Sequence, residues 1–269
     1  MIRSLFTFIT IVVISLISLV SEAKEKVTFY TEAYSPFQSQ NQQGQLVGFS
    51  IDILHATQQY VNFDIDIQMM PWSRAYRNAQ KHPNTFIFSI GKTDKRLTSF
   101  KWVSDFYTVQ DAIYKQTART DIDISNPDDI DRYNIALSRN DVSLERLNIE
   151  HDYANVYLVT NQTTAVKMLQ FGRVDLNYNN QIGFNEAVKN LGFNHADFTP
   201  AFIVSKISLG LATHKDTRIE LFNQMQQAFD TIKENGEFNH VVAKWFPGSD
   251  TKKVNLSATA SMDIPPNLN

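Results

Sequence analysis

The sequence predicts an α/β fold built from two successive units with the same plan. Apolar strands alternate with helical patterns between Val27 and Ile90, and the alternation recurs from Tyr133 to Val204. Such an order predicts a mostly parallel sheet with helices on its faces. Two extended segments, Trp102–Ile113 and Phe198–Ala212, are too long to be single strands of one compact unit. We interpret them as segments that cross between the two units.

The first unit contains three predicted strands and two predicted helices. Apolar and polar residues alternate in Phe63–Gln68, with the period of two that is typical of a strand. Gly48–Tyr60 has apolar residues at helical spacing, and Trp72–Gln80 follows a proline, which favours a first helical turn. The other two strands are the short apolar runs Val27–Tyr30 and Phe86–Ile90.

The second unit repeats the alternation, and two more helices follow it. Its predicted elements are Tyr133–Leu137, Val142–Leu147, Tyr153–Leu158, Gln162–Phe171, Val174–Tyr178 and Gln181–Leu191. The longest predicted helix, Thr217–Asn235, has an apolar face and ends at Gly236. That face consists of Ile219, Phe222, Met225, Phe229 and Ile232. A last short helix is predicted over Phe238–Phe246.

The two termini differ from the rest of the chain. Residues 1–23 have a basic start, an apolar run over Leu5–Val20 and the small residue Ala23, which is the layout of a signal peptide cleaved after Ala23. The alternative is a retained membrane anchor, but a run of about 16 residues is short for a bilayer. Cleavage predicts an exported protein. Residues 248–269 lack periodicity and are predicted to be a flexible tail.

Composition argues against several classes of function. The 269 residues include no cysteine and carry a formal net charge of −3 without a basic stripe, which argues against a nucleic-acid partner. The six histidines are not at metal-ligand spacing. No nucleophile elbow, dinucleotide fingerprint or phosphate loop occurs. We therefore predict no catalytic residue, no metal and no cofactor.

The stretch Phe86–Tyr107 carries the first candidate binding residues. The apolar strand Phe86–Ile90 leads into a predicted polar turn, Gly91–Lys95, and then Arg96. Open α/β sheets bind ligands beyond the ends of their strands, and an arginine there can hold a carboxylate with two parallel hydrogen bonds. The alternative is a surface turn with solvated cations.

Aromatic residues at loop positions are candidates for the wall of the same cleft. Tyr34 follows the first strand and Trp72 follows the second, so both are expected near the strand ends. Aromatic walls exclude water from a ligand. The alternative is ordinary core packing. Arg74 is a candidate for a second cation, and its alternative is a solvated helix face.

Five motifs in the same order resemble periplasmic solute-binding proteins of family 3, the polar amino-acid receptors of ABC importers. Ser89–Arg96 followed by Phe100–Tyr107 resembles the G-x-T-x-T-x-x-R…F-S-x-P-Y block of that family. The other four motifs are Tyr34–Phe37 with Gly48–Ile53, Gly172–Asp175, Asn235–Phe238 and Lys244–Phe246. The resemblance covers about residues 27–247.

This resemblance implies a two-lobed periplasmic-binding-protein fold of type II, with a ligand cleft between the lobes and two hinge-crossing strands. Lobe 1 would comprise residues 24–106 plus 208–247, and lobe 2 residues 109–204. The crossings would fall near Tyr107–Val109 and Ser205–Ile207. Arg96 matches the carboxylate-binding arginine of the family, and Thr93 matches the threonine three residues before it.

Tyr34 and Trp72 match the aromatic residues that sandwich the ligand. Three positions depart from the family pattern. Gly91 replaces a ligand-binding threonine, and Asn180 replaces the acid that holds the ligand's ammonium group. An amide supplies no charge for that group.

In the second unit, Ser138–Asp141 replaces the usual Gly-Thr pair. Asp141 is a candidate replacement for the lost carboxylate, whereas Arg139 points to a more anionic ligand. Asn140, between them, is a further candidate contact.

The resemblance implies a binding protein rather than an enzyme. We expect a monomer that captures a small carboxylate-bearing solute, an amino acid or a related compound, and delivers it to the membrane permease of an ABC importer. One alternative is a cyclohexadienyl dehydratase-like enzyme with Asp141 or Glu32 as general acid or base. Another is a ligand-sensing subunit for a membrane receptor.

Overall fold

The computed structural model describes residues 24–149 and 154–248. The predicted signal peptide, the start of the strand predicted at Tyr153 and residues 249–269 of the predicted tail lie outside these ranges. Within them, no helix combines the length and hydrophobicity needed to cross a membrane.

The strands and helices agree closely with the predicted order. The strands are β1 Glu25–Thr31, β2 Ser39–Gln40, β3 Leu46–Val47, β4 Phe63–Met69, β5 Phe86–Gly91, β6 Phe100–Gln116, β7 Ile135–Ser138, β8 Val156–Val159, β9 Leu176–Asn180 and β10 Phe198–His214. The helices are α1 Phe49–Gln58, α2 Trp72–Lys81, α3 Asp94–Ser99, α4 Val142–Arg146, α5 Gln162–Gln170, α6 Gln181–Asn190, α7 Ile219–Glu234 and α8 Glu237–Trp245. Short 3-10 helices span Pro127–Arg132 and His195–Asp197.

Eight of the described strands form one continuous sheet in the order β4-β1-β5-β10-β6-β9-β7-β8. Pairing is parallel within β4-β1-β5 and within β9-β7-β8. The two halves are joined by β6 and β10, an antiparallel pair of 17 residues each. At about 3.3 Å per residue, each strand is long enough to pass through both halves. The predicted α/β, two-lobed fold is confirmed.

Each half has its own apolar core. In the first lobe, α1, α7 and α8 pack against one another, with α1 on β4 and α7 on β6, and the core includes Phe29, Phe49 and Phe229. In the second lobe, one cluster around Val166 packs beneath α5 and α6, and another surrounds Ile135. Separate cores allow each lobe to remain rigid while the connection between them bends.

Four predictions about local structure need correction. Arg96 lies in helix α3 rather than after a turn, because the Thr93 side chain accepts a hydrogen bond from the Arg96 backbone N–H (3.2 Å) and so caps the helix. The extended segment predicted over Phe198–Ala212 is the strand β10, which runs two residues further, to His214. Ile219 is exposed, and Leu221 is buried in its place.

The strand predicted at Val174–Tyr178 runs two residues later, as β9. Asp175, just before β9, donates its backbone N–H to the Asn134 carbonyl at 2.8 Å, and its carboxylate accepts hydrogen bonds from the Asn134 N–H and from Arg119. The shift makes Asn180 both the last residue of β9 and the N-cap of α6, where its side chain accepts from the Gly183 N–H at 2.8 Å.

Candidate ligand-binding site

A polar cavity lies between the two lobes and against the crossing strands. Its atom-free volume is about 430 Å³, including the part that opens to solvent. The lining residues are Glu32, Tyr34, Trp72, Ser89, Gly91 and Arg96 from the first lobe, Asp141, Val142, Gln162, Tyr178, Asn179 and Asn180 from the second, and Asp111, Ile207 and Leu209 from the crossing strands. Since both lobes line it, any ligand bound there would contact both.

Tyr34 extends from the first lobe into the second. Its hydroxyl donates to Asn179 Oδ1 (2.9 Å) and accepts a hydrogen bond from Asn180 Nδ2. The ring lies against the start of α6, where a Cβ on Gly183 would come within 2.6 Å of it. Only glycine leaves room for this approach, so the residue type at Gly183 fixes the position of Tyr34.

Trp72 and Arg96 form a stacked wall on the other side of the cavity. The Arg96 guanidinium carbon lies 5.7 Å from the Trp72 ring centroid and 5.3 Å from that of Tyr76. Trp72 Nε1 donates to the Asn140 carbonyl at 2.8 Å, and Arg96 Nη2 donates to the same oxygen at 3.4 Å. These bonds tie the first lobe to the loop before α4, where Asn140 has a positive φ of 56°.

The Arg96 guanidinium already has an anionic partner from the opposite lobe. Arg96 Nε lies 3.1 Å from Glu145 Oε1, and Thr93 Oγ1 donates to Glu145 Oε2 at 2.6 Å. Arg96 Nη1 also donates to the Gly91 carbonyl (3.2 Å). Arg96 is 1% exposed. Arg96 and Thr93 match the carboxylate-binding pair of the family. In this structure they bind the carboxylate of Glu145, a side chain of the same protein.

Three carboxylates, those of Glu32, Asp111 and Asp141, line the cavity. Burial raises the pKa of the Glu32 carboxyl well above its ordinary value, and nearby Asp141 raises it further while Arg96 opposes the shift. Burial also raises the pKa of Asp111 from 3.8 to about 6, although a hydrogen bond from Tyr178 (2.5 Å) and the nearby Arg146 lower it. The raised pKa values show that burial makes the charged forms of Glu32 and Asp111 costly, so a positively charged group beside them would be favoured.

Six of the ten predicted binding residues line the cavity: Arg96, Gly91, Tyr34, Trp72, Asp141 and Asn180. Thr93 and Asn140 lie just outside it, where they hold Glu145 and the Trp72 indole. Arg74 and Arg139 are exposed and do not line it, so neither adds a cation to this cavity. Both belong to the solvated surface in this conformation.

Sequence reasoning did not assign a role to Glu145, Asp111, Gln162 or Asn179. Glu145 pairs with an arginine 49 positions away across the cleft, and no local pattern indicates such a pair. Asp111 could have been identified from the sequence, since it is the charged residue in the apolar crossing segment Val109–Tyr114. Among the described residues, no group of three or more histidine, aspartate or glutamate side chains is placed to hold a metal ion.

Two lobes that are joined by two long strands and enclose a polar cavity define the class of proteins that bind a small solute by closing around it. The model of the bacterial extracellular solute-binding proteins, family 3, matches residues 27–248, and the chain therefore belongs to this family. The resemblance found in the sequence is confirmed.

Curated relatives are similar over most of their length. The chain is 21% identical over 220 residues to a probable histidine-binding protein of Neisseria gonorrhoeae, covering 79% of this chain and 80% of the relative. It is 24% identical over 238 residues to an arginine-binding periplasmic protein of Mannheimia haemolytica, covering 85% and 94%.

Solved structures with the same fold include proteins with different roles. A histidine kinase sensor domain with similarity to periplasmic binding proteins superposes with a TM-score of 0.75 at 15% identity, covering 84% of this chain and 97% of the other. An ancestral amino-acid-binding protein described as a precursor of cyclohexadienyl dehydratase gives 0.67 at 19% identity, covering 82% and 95%. At these identities the likeness shows the fold alone.

Proposed function

We propose that the protein captures a small polar solute, an amino acid or a related compound, in the cavity between its lobes and delivers it to the permease of an ABC importer. The observation that carries this proposal is the cavity lining, which both lobes and both crossing strands supply. The histidine- and arginine-binding relatives support a polar, amino-acid-sized ligand.

The proposed boundaries of the lobes are residues 24–106 plus 208–247 for the first and 109–204 for the second. The bonds from Tyr34, Trp72 and Arg96 into the opposite lobe support a closed state that ligand binding would favour. Such a ligand shifts the equilibrium only by its difference in affinity for the two states. Closure would present the permease with a surface that the open state lacks.

Arg96 is proposed as the residue on which closure depends. In the structure its partner is Glu145, so a ligand carboxylate can reach the guanidinium only by displacing that side chain. Tyr34 and Trp72 would then form apolar walls, and Glu32, Asp141 and Asn180 the polar end of the site.

We further propose that the protein is a periplasmic monomer, exported by a signal peptide that is cleaved after Ala23, and that it binds its solute without turnover. The family to which it belongs supports export. A sensing role and a dehydratase role remain alternatives that no feature of the cavity favours.

The test is a thermal-shift and calorimetry screen of the purified protein against amino acids, organic acids and organic amines. A ligand at 100 times its Kd stabilises the folded state by about 2.7 kcal/mol. We expect at least one member to bind. Absence of binding by every member would contradict the proposed function.

A matched pair of variants then tests the arginine. Arg96→Ala is expected to weaken binding of the ligand by about tenfold or more, because it removes the ion pair with Glu145 that joins the two lobes in the closed state. Arg74→Ala removes an exposed arginine outside the cavity and is expected to leave the affinity unchanged. Equal affinities in both variants would count against the role of Arg96.

A further inference from the structure

The position that would bind a ligand's carboxylate is filled. Both oxygens of Glu145 have donors, since Oε1 accepts from Arg96 Nε at 3.1 Å and Oε2 accepts from Thr93 Oγ1 at 2.6 Å. Two further Arg96 nitrogens donate to the Gly91 and Asn140 carbonyls. All three nitrogens of the Arg96 guanidinium therefore already donate hydrogen bonds to protein acceptors.

A second possible anion partner is also occupied. The Ser143 N–H, at the start of α4, donates to Asp141 Oδ1 at 2.9 Å. Arg146, on the same helix, lies 3.5 Å from Asp111 Oδ2. Among the described residues that line the cavity, Arg96 is the only one with a cationic side chain.

Hydrogen-bond acceptors, in contrast, are left without donors. Glu32 is 9% exposed and faces the cavity, and within the described chain its carboxylate accepts no hydrogen bond and joins no ion pair. Gln162 Oε1 also lacks a partner there and is buried. A buried acceptor without a donor is costly, so a ligand that brings hydrogen-bond donors into the cavity would stabilise Gln162 Oε1 and would also satisfy the Glu32 carboxylate.

We propose that this cavity binds a small organic ammonium ion that carries no carboxylate, with its N–H groups directed at Glu32, Asp141 and Gln162, while Glu145 retains Arg96. The inference rests on the proposed function and specifies its ligand. An ammonium group supplies the missing donors, and its positive charge favours the charged forms of the acidic side chains that line the cavity.

A ligand carboxylate meets two obstacles in the same cavity. It would approach three acidic side chains, those of Glu32, Asp111 and Asp141. It would also have to separate Glu145 from Arg96, which leaves the Glu145 carboxylate, 16% exposed, without its ion pair. Asn179 Nδ2, which is buried and unpartnered within the described residues, offers a donor to a neutral oxygen or nitrogen of the ligand instead.

Calorimetry with three matched pairs tests the proposal on the unmodified protein. Agmatine and arginine, cadaverine and lysine, and histamine and histidine differ within each pair only by the α-carboxylate. We expect the amine to bind at least about tenfold more tightly than the amino acid in one pair or more. The proposal is overturned if no pair shows that preference. Tighter binding of the amino acids would overturn it while leaving the proposed function intact.

Two substitutions test the assigned groups. Glu145→Gln removes the competing charge from Arg96 and is expected to shift the ratio of amino-acid to amine affinity towards the amino acid by about tenfold or more. Glu32→Gln is expected to weaken binding of the amine about tenfold, while Glu220→Gln, at an exposed position of α7, leaves it unchanged. A Glu145→Gln protein with an unchanged ratio would overturn the assignment, since a purely structural role would affect both ligands alike.

Discussion

Asp111 illustrates how a single residue links the charge of the cavity to stability. The carboxylate lies in crossing strand β6, 2% exposed, with Tyr178 and Arg146 on one side and Asp141 and Tyr34 nearby. Its pKa is raised from 3.8 to about 6 by burial. Between these two values the folded state binds more protons than the unfolded state, so stability decreases as pH rises.

We therefore predict that the stability of the protein depends on pH and that Asp111→Asn makes this dependence weaker. Raising the pH from about 4 to about 6 should cost the unliganded protein up to about 3 kcal/mol through this residue, because one pKa unit corresponds to about 1.4 kcal/mol. The contribution is fully present below pH 3.8 and lost above about pH 6. Urea unfolding at a series of pH values measures it.

The Asn variant keeps the shape of the side chain and an acceptor for the Tyr178 hydroxyl. Glu32, whose pKa is also raised, remains in both proteins, so the difference between the two pH profiles isolates Asp111. Parallel profiles would contradict the assignment.

At the scale of elements, the six-residue helix α3 places Arg96 in the cleft. Thr93 both caps this helix and holds Glu145 of the opposite lobe. Thr93→Ala should lower the free energy of unfolding by about 2 kcal/mol, combining a lost cap of about 1 kcal/mol with a lost hydrogen bond to a charged group.

The conservative change Thr93→Ser keeps the hydroxyl and serves as the control. It should stay within about 0.5 kcal/mol of the unmodified protein, the usual range for a change that preserves the cap. Chemical denaturation measures both, and equal losses in the Ala and Ser variants would show that the methyl group, rather than the hydroxyl, matters at this position.

The same element shows where sequence reasoning succeeds and where it stops. The position of Arg96 beyond the end of β5 was predictable, because Phe86–Ile90 is a plain apolar strand and ligands bind beyond strand ends. The helix was not predicted, because α3 depends on one side-chain cap within a polar stretch rather than on an apolar period. The Arg96–Glu145 pair depends on how two lobes meet, which no local pattern contains.

At the scale of the whole molecule, two rigid lobes are connected by β6 and β10, and the cavity lies where they meet. The alternation of strands and helices predicted this plan, since periodicity is a local property that each lobe's core preserves. The lobes contact each other through hydrogen bonds from Tyr34, Trp72 and Arg96, and Val142 and Ile182 of the second lobe pack against the apolar core of the first. Polar contacts of this kind allow the lobes to separate without exposing a large apolar core.

The most direct test of closure around a solute is a spin–spin distance measured across the cleft. The chain contains no cysteine, so labels at Lys81→Cys in the first lobe and Lys167→Cys in the second, both exposed positions, report only that pair. We predict that a ligand identified by calorimetry narrows the distance distribution to a single peak, at the separation that the two labels have in the closed structure. A distribution that stays unchanged when that ligand is bound would contradict the account.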